Sequence, residues 1–310
     1  MAKKERPIKG APTKRERPIK GAPTAKDFKG DVNPDWCPGC GDFGVLNALQ
    51  NAYAKCGRGN HDHLTVSGIG CSSNLPGFIR TYGMHTLHGR ALAVATGAKF
   101  ANHELNVVVT GGDGDGYGIG GNHFIHTMRK NVDLLYIVMN NEVYGLTVGQ
   151  ASPTTQIGEQ TYSTPFGNIE TPLNPVAMAI VGGATYVARA FSSDGKHLAE
   201  LMYNGMQHKG FAFIDVISPC VTWKDKGEFK IFDYWKERVN VLEDHDTGDK
   251  AAALEQAVKD GHETQLGLFY HDTSRSSLDQ MEPVLENGPM AHQPLGVTPE
   301  QGAAIIKRMM

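Results

Sequence analysis

The segment NVVVTGGDGDGYGIGGNHFIHTMRK, residues 106–130, decides how the chain folds. It opens on a β-branched run, crosses a glycine-rich stretch holding two aspartates, and ends in a helical pattern. A strand apolar at nearly every position is buried on both faces, as parallel sheets require. The glycines after it let backbone approach a ligand closely. The helix that follows can turn its first amide N–H groups toward an anion.

The same alternation recurs outward in both directions. Strand candidates are 64–68, 106–110, 134–139, 185–190 and 211–217, and helix candidates are 42–55, 89–102, 120–130, 174–182 and 194–208. This order predicts an α/β fold with a mostly parallel central sheet, right-handed crossovers and flanking helices. Residues 1–26 read as a basic arm, mobile and poor in apolar residues, because KKERPIKGAPT and KRERPIKGAPT repeat in tandem over 3–24. The folded domain spans 27–240, and 241–310 is a looser extension with a helix near 249–260. Its end, TPEQGAAIIKRMM, carries Thr298 as cap, Pro299 in the first turn and Gln301 completing a capping box. A well-formed last helix on a loose tail points to docking on another chain.

Composition narrows the class. A net charge of −3 over 310 residues argues against a nucleic-acid partner. No apolar run is long enough to cross a membrane, and the opening lacks a signal-peptide pattern, so the chain reads as cytosolic. In that compartment its 5 cysteines are poor candidates for structural disulfides.

In an open parallel sheet, ligands sit beyond the carboxyl ends of the strands. Cys71 in GIGCSS, Asp113 in GGDGDG, Asn141 in MNNEVYGL and Cys220 in ISPC each follow a predicted strand. Cys37 and Cys40, in DWCPGCGDFG, lie in the loop that opens the first helix and can share that edge. The glycine-rich loop fits neither the dinucleotide fingerprint nor the P-loop, whose GK[ST] ending is missing. Asp113 and Asn141, 28 positions apart, are either oxygen ligands for an octahedral magnesium ion or ordinary turn formers. The four thiols suit an iron–sulfur cluster or zinc about equally on their own spacing, with a redox dithiol third. Cys56 stands apart, at a helix end before Gly57, and reads as a packed thiol.

Taken together, WCPGCG, SGIGCS, HTLHGRA, GDG followed by NN, and NNEVYGLTVGQASPT resemble the β subunit of 2-oxoacid:ferredoxin oxidoreductases, in order from Trp36 to Cys220. The resemblance implies a thiamine diphosphate-binding fold and one 4Fe–4S cluster held by Cys37, Cys40, Cys71 and Cys220. It makes Asp113, Asn141 and the carbonyl of Val143 magnesium ligands, with Gly114, Asp115, Gly145 and Leu146 lining the diphosphate. Ile69, Gly70, Cys71 and Ser72 would lie between cofactor and cluster. His88 would be the catalytic residue facing the thiazolium, while His85 reads as a helix-start residue bonded to backbone. Asn74 and Leu146 would border the substrate, with Arg80 either meeting a carboxylate or pairing at the surface.

The implied reaction interconverts 2-oxoglutarate, coenzyme A and oxidised ferredoxin with succinyl-CoA, carbon dioxide and reduced ferredoxin. Partners would be an α subunit in an (αβ)₂ assembly, because this chain supplies only the diphosphate half of the cofactor site, and ferredoxin. Pyruvate or branched-chain 2-oxoacids are the alternative substrates. A zinc-stabilised, non-catalytic scaffold and a thiamine decarboxylase that uses no electron acceptor are the alternatives from other classes. Val148 departs from the family pattern, where a basic residue often stands between that Thr and Gly and meets coenzyme A.

Overall fold

The computed structural model describes residues 21–243, 245–259, 263–294 and 296–309, so the tandem repeat lies almost wholly outside the described residues. In chain order the strands are β1 (His63–Ser67), β2 (Tyr82–His85), β3 (Asn106–Gly112), β4 (Leu134–Asn140), β5 (Val143–Tyr144), β6 (Gln150–Ala151), β7 (Tyr186–Phe191), β8 (Phe211–Ile217), β9 (Val239–Val241) and β10 (Thr264–His271). The helices are α1 (Asp42–Lys55), α2 (Leu75–Phe78), α3 (Ala91–Ala101), α4 (Gly121–Lys130), α5 (Pro175–Gly182), α6 (Gly195–Gln207), α7 (Val221–Lys224), α8 (Ile231–Lys236), α9 (Lys250–Val258), α10 (Leu278–Met281) and α11 (Pro299–Met309). Every strand and helix expected from the sequence is present, most within two residues of its expected bounds.

One sheet runs in the order β2-β1-β3-β4-β8-β7-β10-β9. Neighbours are parallel throughout except β10, which lies antiparallel to β7. Helices α1 and α6 cover one face, over a core that includes Phe28, Leu49, Tyr53 and Met202. Helices α3, α4, α5 and α9 cover the other. There Phe124 packs on Phe213, Tyr136 and Tyr117 with ring centroids 4.9, 5.7 and 5.6 Å away. Such pairs add about 0.5–1.5 kcal/mol each beyond the area they bury.

Three features lie beyond the sequence-based expectations. The glycine-rich stretch is not an open loop: Gly114–Ile119 winds as a π-helical turn into α4, closed by Gly120 N–H donating to the Asp115 carbonyl at 3.0 Å. Glycine's poor helix propensity hides such a turn from pattern reading. It is wound here because the backbone must pass under Tyr136, whose hydroxyl would lie 2.1 Å from any Cβ at Gly116. Second, position 240 is no boundary of the sheet. Strand β10 pairs with β7, β9 pairs with β10, and α9 packs on α5, so 241–310 begins as sheet and only later becomes peripheral. Third, β2 is an exposed edge strand of YGMH, too polar and too short to register as a strand pattern. Helix α11 begins with the expected cap, Gln301 N–H donating to Thr298 Oγ1 at 3.3 Å and Thr298 N–H to Gln301 Oε1 at 2.8 Å. Among the described residues no helix is long and apolar enough to cross a membrane.

Candidate functional site

The carboxyl ends of β1, β3, β4 and β8 meet at one rim, and two adjoining concavities open there. The first is a cleft of about 90 Å³ lined by Ile69–Ser72, His88, Gly112–Asp115, Asn141 and Val143–Thr147. The second is a cavity of about 280 Å³ lined by Trp36, Cys37, Cys40, Cys71, Asn74, Cys220 and Trp223, among others. Cys71, Asn141, Gly145 and Leu146 belong to both, so the two spaces share a wall one residue thick.

The expected thiols converge. A Cβ on Gly145 would lie 3.8 Å from the sulfur of Cys220 and 3.9 Å from that of Cys71. Cys37 and Cys40 enter from the turn before α1, where Cys40 N–H donates to the Cys37 carbonyl at 3.0 Å. Trp36 fastens that turn to the next ligand candidate, its indole N–H donating to the Cys71 carbonyl at 2.7 Å. Burial, then the nearby Asp42 carboxylate, pushes the Cys40 thiol well above its ordinary range and Cys71 up to about 11, and burial also raises Cys220. Bare thiolates are therefore disfavoured here, and a cationic metal centre is what converts such a shell to thiolates. Asp42 is itself fully buried, accepts from Ser218 Oγ at 2.7 Å, and is pushed up to about 6 by burial. Among the described residues no three His, Cys, Asp or Glu side chains gather tightly around a single ion position. Cys56 lies elsewhere, against Met206 and Gln207 of α6.

In the cleft, Asp113 is buried at the end of β3, and burial holds its carboxyl above the usual range. Asn141 N–H donates to its Oδ1 at 3.4 Å, which puts the strand ends of β3 and β4 side by side. The Asn141 amide oxygen accepts from Val143 N–H at 3.0 Å. A divalent cation bound at this carboxylate would remove the penalty of its burial. The diphosphate candidates divide: Gly114, Gly145 and Leu146 line the cleft, whereas Oδ1 of Asp115 is taken up by the protein. His88 stands at the cleft wall with Nδ1 2.7 Å from Asp115 and its ring edge-on to Tyr144. Asn74 lines the cysteine cavity rather than the cleft of His88. His85 bonds to Ser67 Oγ and the Ser73 carbonyl, as a positioning residue of the loop.

Several participants were invisible in the sequence. Thr154 Oγ1, beyond the β5–β6 hairpin, lies 2.9 Å from both Asp113 Oδ2 and Asn140 Oδ1. Asp215, a register partner of Arg189, accepts from its Nε at 3.1 Å, from Tyr117 Oη at 2.9 Å and from Asn140 Nδ2 at 3.1 Å. That network ties the π-turn, β4, β7 and β8 together directly beneath the site. Lys224, buried in α7, meets Glu159 at 2.7 Å and Glu142 at 3.4 Å. Glu142 and Val148 both adopt left-handed backbone, φ +59° and +76°, on the loop that crosses the rim. Left-handed geometry is uncommon for any residue with a Cβ and strained for a β-branched one. No motif of chemistry marks these residues; only the tertiary contacts do.

Comparison with known proteins places this rim in context. The family model described as "Thiamine pyrophosphate enzyme, C-terminal TPP binding domain" matches residues 59–216, and the model for the C-terminal part of the pyruvate ferredoxin oxidoreductase beta chain matches 220–287. The chain is 43% identical over 296 residues to 2-oxoacid:ferredoxin oxidoreductase 1, subunit beta, of Aeropyrum pernix, covering 90% of this chain and 92% of that one. It is 46% identical over 196 residues to the 2-oxoglutarate synthase subunit KorB of Methanocaldococcus jannaschii, covering 63% of this chain and 72% of the relative. Among solved structures it resembles 2-oxoglutarate:ferredoxin oxidoreductase from Magnetococcus marinus with 2-oxoglutarate, coenzyme A and succinyl-CoA bound, at a TM-score of 0.82 and 42% identity over 91% of this chain and 96% of that one.

Proposed function

The chain belongs to the β subunits of the 2-oxoacid:ferredoxin oxidoreductases and carries their thiamine diphosphate-binding domain, and from that premise we propose how this rim works. The substrate is 2-oxoglutarate, converted with coenzyme A and oxidised ferredoxin to succinyl-CoA, carbon dioxide and reduced ferredoxin, or the reverse. Relatives named for 2-oxoglutarate and a structural neighbour containing it support that choice. One observation carries the proposal: the cysteine cavity and the cofactor cleft share Cys71, Asn141, Gly145 and Leu146 as a common wall.

Bound thiamine diphosphate supplies the carbon nucleophile and electron sink for decarboxylation, and an iron–sulfur cluster accepts electrons singly. Cys37, Cys40, Cys71 and Cys220 hold a 4Fe–4S cluster in the cavity. Asp113, Asn141 and the Val143 carbonyl hold magnesium, and the backbone at Gly114, Gly145 and Leu146 takes the diphosphate. His88 would face the bound cofactor, and Ile69–Ser72 lines the cleft on its way to Cys71, which also lines the cysteine cavity. The cleft opens at the surface of this chain and is lined by the residues expected at the diphosphate, which supports completion of the site by an α subunit in an (αβ)₂ assembly. Helix α11, with Ile305, Ile306 and Met309 exposed, is the segment we assign to that partner. The complex works in the cytosol.

The test is anaerobic purification with the α subunit. The expected result is about four irons with matching sulfide per β chain, a brown chromophore, and reduction of a viologen dye that requires both 2-oxoglutarate and coenzyme A. Serine at Cys37, Cys40, Cys71 or Cys220 removes the chromophore, while Cys56→Ser keeps it. One zinc per chain, or turnover of pyruvate in preference to 2-oxoglutarate, overturns the corresponding part.

A further inference from the structure

We propose that Asp115 is not a diphosphate contact but the positioning residue for His88. The inference rests on the reading of His88 given above and goes beyond it. Asp115 is 2% exposed at its side chain, and its Oδ1 alone accepts three hydrogen bonds: from His88 Nδ1 at 2.7 Å, Gly89 N–H at 2.7 Å and Ile69 N–H at 3.0 Å. Its Oδ2 packs against Gly68, just past the end of β1, where an added Cβ would lie 1.9 Å away. Oδ1 is wholly committed to the protein, and a bare carboxylate would repel a diphosphate.

The arrangement has a specific chemical consequence. With Nδ1–H committed to a carboxylate, the His88 ring is held in one tautomer, and Nε2 is the nitrogen left to the cleft. The 39% exposure of the His88 side chain and its edge-on packing against Tyr144 keep that nitrogen accessible while limiting rotation. Gly89 and Ile69 are held by the same oxygen, so the backbone flanking His88 and the backbone leading to Cys71 share one anchor. A carboxylate accepts and does not donate, so it admits only the ring tautomer with a proton on Nδ1.

Asp115→Asn separates this role from a merely structural one, because the amide oxygen still accepts from all three donors and only the charge is lost. The experiment uses the αβ complex and places Asp115→Asn in both the native and the His88→Gln background. In the native background kcat for 2-oxoglutarate falls about 30-fold, and in His88→Gln the further loss is under about 3-fold, because residues acting as a unit are non-additive. The Kd for thiamine diphosphate, from calorimetry on the cofactor-depleted complex, stays within about 3-fold, since Asp115 does not touch the diphosphate. Equal losses in both backgrounds, or a Kd that rises in step with the loss of kcat, overturn the positioning role. A native complex that turns over no 2-oxoacid overturns the proposed function itself, and is distinguished by that control.

Discussion

Trp223 donates its indole N–H to the carbonyl oxygen of Gly145 at 2.9 Å, fastening α7, which follows Cys220, to the loop that walls both concavities. The indole also packs against Gly149, where an added Cβ would meet it at 2.9 Å. Trp223→Phe removes the hydrogen bond and part of the ring packing and is expected to cost about 0.5–3 kcal/mol. Trp223→Ala also removes the packing, and iron retention under chelator and thiamine diphosphate affinity then fall together. Parallel iron assays and calorimetry check this; loss of one without the other breaks the link.

Thr154 shares one hydroxyl proton between Asp113 and Asn140. Thr154→Val leaves both acceptors short of a donor and lets the Asp113 carboxylate swing. The expected stability loss is about 1–2 kcal/mol, with the magnesium concentration for half-maximal activity rising about 10-fold, as for other residues that orient a metal ligand. Magnesium titration of the variant is the measurement.

Gly116 and Gly121 lie on the same ascent from β3 into α4, with opposite surroundings. Alanine at 116 drives a methyl group into the Tyr136 hydroxyl, 2.1 Å away and fully enclosed, whereas alanine at 121 meets nothing within 4 Å. Gly116→Ala is expected to cost about 3 kcal/mol or more and Gly121→Ala to be neutral or to stabilise by up to about 1 kcal/mol. Thermal unfolding of the pair distinguishes them.

Acid sensitivity follows from buried histidines. His208 is pushed down to about 4 by burial, with His271 beside it, and His63 to about 4 by burial and then Arg58. The unfolded chain takes up these protons near pH 6.5 and the folded chain does so only near pH 4. Their contribution is therefore complete above pH 6.5 and is lost as pH falls toward 4. For His208, allowing for its partial contact with solvent, the expected loss is about 2 kcal/mol. His208→Gln should flatten the decline in unfolding temperature between pH 7 and pH 5.

Much of this was legible in the chain itself. The runs at 106–110, 134–139 and 211–217 are apolar at nearly every position, and only a strand covered on both faces satisfies that pattern. Once the sheet is parallel, its chemistry-bearing residues must collect at the carboxyl ends, so Cys71, Asp113, Asn141 and Cys220 had one place to go. Position along a strand is a local property, and local properties survive in the sequence. What lay beyond reach is which neighbour each group touches. Asp115 looks like a loop residue of a phosphate cradle until the fold brings β1 and the start of α3 against it. Thr154, Trp223 and Lys224 join the site only across sequence separations of 41, 78 and 82. A hydrogen bond needs its partners within about 3 Å, and spacing along a chain says nothing of such distances until the sheet has closed.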